Sequence, residues 1–162
     1  MLRLHQAVTL MVLALLAACS APAAPSPDSA VGRWRTDPEP LAPRGTAVSE
    51  LTFTAEGRFA SDVRFFAVYE AQGPSELSAS SRTVGRYQIE NGRLHLQPDS
   101  LISFDTINRE PSVIVTSPYP YDRAPFDGAT ITVSSDRLTL NYLSYPADAP
   151  VPTERQFRHV ND

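Results

Sequence analysis

The chain has 162 residues, with 14 basic and 18 acidic side chains and a formal charge of −4. Every basic side chain is an arginine; the lack of lysine excludes Schiff-base chemistry and Walker-type phosphate binding. No basic tract stands out against the acidic balance, which argues against nucleic acid as a partner. The single cysteine rules out an internal disulfide, so the fold must stand on its core.

The N-terminus carries Arg3, then twelve residues from Ala7 to Ala18 with Thr9 as the only polar one. As a helix this run would reach about 18 Å. A bilayer core needs ~30 Å, so the run reads as the apolar part of a secretory signal, residues 1–18. It ends in Leu16-Ala17-Ala18-Cys19, which resembles the lipobox of bacterial lipoproteins. That resemblance implies cleavage before Cys19 and a diacylglyceryl group on its thiol, with acyl chains such as palmitate. The protein would then sit in the cell envelope, anchored to a membrane and facing the periplasm or the exterior. In a Gram-negative cell, Ser20 after the cysteine implies the outer membrane. Each buried acyl CH₂ contributes roughly 0.8 kcal/mol, and two or three chains anchor stably where one does not. After Cys19, residues 20–30 of the 19–30 segment are only Ser, Ala, Pro and one Asp, with too little apolar bulk to pack. They are expected to form a disordered tether; its last eleven residues reach about 34 Å if polyproline-like.

Residues 31–162 are long enough for one domain with its own core. Without Arg3 the mature chain holds 13 arginines against 18 acids, a formal charge of −5. The domain opens with Val31-Gly32-Arg33-Trp34, and the phrase returns as Val84-Gly85-Arg86-Tyr87. Between and after these lie three stretches with one grammar of strand, turn, arginine and strand: LTFTAEGRF, YQIENGRLHL and ITVSSDRLTL. In the second, Asn91-Gly92 is a two-residue hairpin turn whose positions need positive φ. It sets Ile89 opposite Leu94 and Tyr87 opposite Leu96, with Glu90 meeting Arg93 on the other face. In the third, a turn at Ser135-Asp136 sets Val133 opposite Leu138 and Ile131 opposite Leu140. The first needs a three-residue loop with Gly57 in the left-handed position, which brings Phe53 opposite Phe59. Apolar residues then face one way in all three hairpins. Further strands are predicted at Val31–Thr36, Arg58–Tyr69, Leu101–Ile107 and Glu154–Val160. With 15 prolines and no helical periodicity after Ala30, the domain reads as all-β, with eight or nine short antiparallel strands. A barrel would remove the exposed sheet edges.

Gly32-Arg33-Trp34 on a first strand, followed by this ordered series of hairpins, resembles the small bacterial lipocalin-like domains. The resemblance covers most of residues 31–162 and implies a closed antiparallel barrel. It also implies that Gly32, Trp34, Gly85 and Tyr87 pack the closed end, with the aromatics inward and Arg33 and Arg86 outward. In lipocalins an arginine from the last strand lies across the tryptophan. Arg155 and Arg158 are the candidates, and Arg155 is favoured because it shares a face with Phe157. The chain departs from the larger lipocalins in length and in lacking their disulfides.

Catalytic signals are poor. There is no G-x-S-x-G, H-E-x-x-H or paired cysteine, nothing points to a metal or cofactor, and the chain is not expected to be an enzyme. Asp105, Asp122 and Asp127 do not match a calcium-loop spacing. His95 reads as a solvated strand residue and His159 as a structural histidine. The inner face would hold Phe53, Phe59, Val63, Phe65, Tyr87, Leu96, Leu138 and Leu140. Of these, Phe53, Phe59, Phe65, Leu96 and Leu138 are the candidates to line a site for a small apolar ligand. The alternative is a packed interior and a protein-interaction or protease-inhibitor-like module. Ser117–Gly128 is a proline-rich segment with Tyr119, Tyr121 and Phe126. It would act as a lid, present a partner surface, or simply cover an open end of the barrel.

The lipobox generates the first prediction. Mass spectrometry of the mature N-terminus should show an acylated Cys19, and Cys19→Ser should move the protein from the membrane fraction to the soluble fraction. An unmodified mature chain beginning elsewhere would overturn it.

Overall fold

The computed structural model describes residues 27–105, 115–145 and 149–161. The signal segment, Cys19 and most of the tether lie outside the described residues. Asn91 (φ 51°) and Gly92 (φ 72°) take the positive φ values that their two-residue turn demands, and Gly57 (φ 73°) does so in the three-residue loop. The registers follow. Ile89 faces Leu94 and Tyr87 faces Leu96; Phe53 faces Phe59; Val133 faces Leu138 and Ile131 faces Leu140.

In chain order the strands are β1 (Gly32–Arg35), β2 (Glu39–Pro40), β3 (Thr46–Phe53), β4 (Arg58–Phe66), β5 (Leu77–Glu90), β6 (Arg93–Asp105), β7 (Val115–Pro118), β8 (Thr130–Val133), β9 (Arg137–Ser144) and β10 (Val151–His159). Eight of them form a ring in the order β1-β10-β9-β8-β6-β5-β4-β3, closed by antiparallel pairing of β1 with β3. The domain is thus all-β and a closed antiparallel barrel. The two extra strands, β2 and β7, pair only with β3 and β6. Neither was expected: each is short, and β2 ends in a proline.

The strand predicted separately at Leu101–Ile107 is instead the continuation of β6, which runs through Pro98. A bulge in β6 at Asp99, opposite the Val84–Gly85 step of β5, allows this by placing Pro98 against Gly85. Ile107 lies outside the described residues. β4 stops at Phe66, three residues earlier than predicted, where Ala67 turns the chain with φ 52°.

The two copies of the repeated phrase meet at the packed end. Trp34 is 2% exposed and Tyr87 5%. Tyr87 packs against Phe53 with ring centroids 4.7 Å apart and donates its hydroxyl proton to the Thr54 carbonyl. Arg33 and Arg86 project to the outside, as strand alternation requires. The two glycines make room. A Cβ on Gly32 would come within 2.7 Å of the His159 ring, and one on Gly85 within 2.1 Å of the Gln97 carbonyl oxygen.

Two expectations are corrected here. The end of the tether is ordered: Pro27–Ala30 forms a single helical turn and Ala30 is fully buried. The buried indole explains it, because Trp34 Nε1 donates to the Ala30 carbonyl at 2.8 Å. Arg155 does not lie across Trp34. Register pairs Trp34 with His159, whose ring meets the indole edge-on with centroids 4.8 Å apart. Arg155 sits four residues back along the strand, about 13 Å away.

Trp34→Ala should therefore cost about 3–5 kcal/mol, the usual range for truncating a core aromatic, read as a fall in the urea midpoint. Native Trp34 emission should be blue-shifted and move red on unfolding. Gly85→Ala should destabilise severely, because backbone on β6 leaves its methyl no space; a midpoint close to the parent's would contradict the close approach.

Candidate functional site

Lateral register sorts the inner wall of β3 to β6 into rows. At the packed end Phe53, Phe59, Gly85 and Pro98 lie side by side. The next row is Leu51, Ser61, Thr83 and Leu101; the next is Ser49, Val63, Ser81 and Ser103; then come Ala47, Phe65, Ala79 and, by register, Asp105. Beyond the packed end the side chains are smaller, Val63 and Phe65 apart; Ser49 and Ala47 stay buried, and the other described side chains of the last two rows are more exposed. Phe53 and Phe59 are 2% and 3% exposed, whereas Val63, Phe65, Ala79, Ser81 and Ser103 are half-buried although they point inward. An eight-stranded barrel is just wide enough to be filled by side chains or to hold one small ligand. Here large residues fill one end, and small hydroxyl-bearing residues line the other.

The opposite wall is made by β9, β10 and the aromatic loop before β8. β6 and β8 share only the Arg93–Thr130 pair, and the loop seals the seam between them. Asp127 Oδ1 accepts the Leu96 N–H at 2.9 Å, and Gly128 N–H donates to the Leu94 carbonyl at 2.8 Å. Phe126, at φ 68°, turns inward and packs edge-on against Tyr142 and Phe157. Tyr119 braces the loop by donating to the Arg123 carbonyl, and its ring meets that of Tyr121, which is 65% exposed. The loop covers the wall more than it presents a surface.

Arg155 lies on the inward face of β10 between Thr153 and Phe157. Its guanidinium carbon stands 6.0 Å from the centre of the Phe126 ring. Nη2 pairs with Glu39 Oε2 at 2.9 Å, and Nη1 donates to Ser49 Oγ at 3.3 Å. Glu39 reaches it from β2 across a break in the wall, since β1 pairs with β10 only at His159 and Arg158. A cleft of about 370 Å³ lies along this break, lined by Thr36, Asp37, Glu39, Thr153, Glu154 and Arg155 among others.

No family model, curated protein or solved structure matches this chain. The site must be judged on its own residues.

Of the residues expected to line a ligand site, Phe53, Phe59, Leu96 and Leu138 are 0–6% exposed and belong to the packed core. Their size and mutual contact leave them filling space. Only Phe65 stands in the more open half. Sequence reasoning passed over Ser49, Ser81, Thr83, Ser103 and Glu39. The alternating small residues of SASSRTV were a usable signal for the first wall; no local signal marks Glu39. His95 is exposed on the outer wall, and His159 bonds Asn161 beside Trp34.

The outer wall carries charge over the closing strands. Glu50, 9% exposed, accepts Arg35 at 2.8 Å and Arg64 at 3.0 Å on Oε2, with Arg33 at 3.9 Å from Oε1. Asp62 faces Glu50 across the β3–β4 pair and lies 3.9 Å from Arg82. Burial pushes its pKa above the ordinary 3.8; Arg82 and Arg64 oppose the rise and Glu50 adds to it. The folded chain thus holds this proton more tightly than the unfolded chain. Stability falls as pH rises from 3.8 through the folded value, and the cost is fully present above it. Asp62→Asn should raise the urea midpoint at neutral pH, and the gain should vanish below pH 3.8. A loss at neutral pH would show that the Arg82 pair outweighs burial.

Proposed function

We propose that this chain is an extracytoplasmic lipoprotein, anchored through Cys19, whose lipocalin-like barrel binds one small ligand in its open half. The observation that carries the binding reading is the gradient along the inner wall. Phe53 and Phe59 give way to Ser61 and Thr83, which are still buried, then to Ser49, Ser81 and Ser103, of which Ser81 and Ser103 are half-buried. The site is mixed: Val63, Phe65 and Leu101 offer apolar contact, and the hydroxyls offer hydrogen bonds. Small-molecule sites commonly combine mostly apolar walls with a few placed polar groups. The interaction-module reading required a packed interior and an exposed apolar patch on the aromatic loop; Phe126 is turned into the core instead. The tether would hold the barrel clear of the membrane.

A neutral naphthylamine fluorophore tests the site. The mature protein should bind it saturably with one-to-one stoichiometry. Ser81→Phe, which places a ring in the open half without touching the packed end, should abolish binding while leaving Trp34 emission unchanged. Lack of saturable binding, or binding indifferent to Ser81→Phe, would overturn the proposal.

A further inference from the structure

We infer that Arg155 is the recognition residue of this lumen, and that the ligand is a small amphipathic carboxylate whose head group takes the place of Glu39. The inference rests on the proposed binding function and adds the ligand's charge to it. Four observations carry it. First, Arg155 is the one arginine on the inward faces of the described ring strands; register also puts Asp105 on an inward row, opposite Ala79, and His159 at the far end. Second, its guanidinium is held, not solvated at random: Phe126 lies beneath it, Ser49 touches one Nη and Glu39 the other. Two of its five N–H groups are thus engaged by described residues, through weakly held or exposed partners that a ligand could replace. Third, Glu39 is a replaceable partner. It comes from a two-residue strand at the rim, and its side chain is 43% exposed against 27% for Arg155. Such a carboxylate loses little by swinging into water, whereas a part-buried guanidinium needs a counter-charge. Fourth, the cleft beside β2 and β10 reaches Arg155; Asp37 and Glu154 line it with Glu39, so Arg155 is the one cation among its lining residues.

The planar guanidinium fork matches a carboxylate in two parallel hydrogen bonds. Ser49, which holds the fork, is paired across β3–β4 with Val63, so an apolar tail would run from the head group onto Val63 and Phe65. Glu39 then acts as a stand-in for the ligand's own charge. It keeps Arg155 neutralised and oriented in the empty barrel, and departs when a better-placed carboxylate enters.

The test compares octanoate with octanol, identical in chain length and different in charge, by calorimetry on the mature protein. Octanoate should bind about tenfold or more tightly, as expected when charge-assisted hydrogen bonds are gained. Arg155→Gln should bring the two affinities together while octanol binding persists. Glu39→Gln, which leaves Arg155 intact, should strengthen octanoate binding several-fold and leave octanol unchanged; it keeps the test decisive if Arg155→Gln folds poorly. Equal affinities in the parent, or octanoate binding unmoved by Glu39→Gln, would overturn the inference and leave the open-lumen reading standing. Failure of both probes, together with failure of the fluorophore, would remove the lumen site itself.

Discussion

The pairing of β1 with β3 is the contact on which the rest depends. Without it the sheet would end in two open edges, one on a strand of four residues. The four residues from Gly32 to Arg35 secure the closure from both faces at once. Inward, Trp34 lies opposite Leu51, hydrogen-bonded to Ala30 and edged by His159. Outward, Arg33 and Arg35 converge on Glu50, and Arg64 joins them from β4. The period-two alternation of a strand makes this double use possible: apolar bulk and charge sit on neighbouring residues and never compete for the same space. With one cysteine in the chain, this seam has no covalent reinforcement of its own.

Closure at one end has consequences at the other. The same strands that bring Phe53, Phe59, Tyr87, Leu94 and Leu138 into one buried cluster continue for two or three further rows with small side chains. Cohesion is concentrated in the aromatic end, so the open half is relieved of that task. Its buried polar groups are tied down: the Ser49 N–H donates to Thr36 Oγ1, and Ser49 Oγ accepts from Arg155. At the rim, Ser78 bonds the Val68 N–H and Gln72.

Legibility in the sequence followed the range of the interaction. The three hairpin registers could be read because a turn and its flanking alternation lie within about a dozen residues, and Asn91-Gly92 and Gly57 announce their backbone angles. Burial of Trp34 and Tyr87 followed from the same alternation. Where strands continued was harder. The residues at Leu101 and beyond read as a separate strand because the bulge at Asp99 breaks the alternation that begins at Arg93; only the pairing with β5 joins the two halves of β6. β2 could not be anticipated, since a two-residue strand has no periodicity.

The sequence by itself determined an all-β domain, its hairpin registers and which faces of those hairpins turn inward, because each depends on neighbours along the chain. Tertiary structure alone decided which residue meets Trp34. Arg155 and His159 share an inward face, and only the offset between β1 and β10 chooses between them. It also decided that Phe53 and Leu138 are fully buried while Ser81 and Ser103, inward on the same barrel, are only half-buried, since burial is set by all the strands of the ring together. And it brought Glu39 to Arg155 across 116 positions of chain. No local pattern encodes that distance; it is set by where a closed sheet leaves a break in its wall.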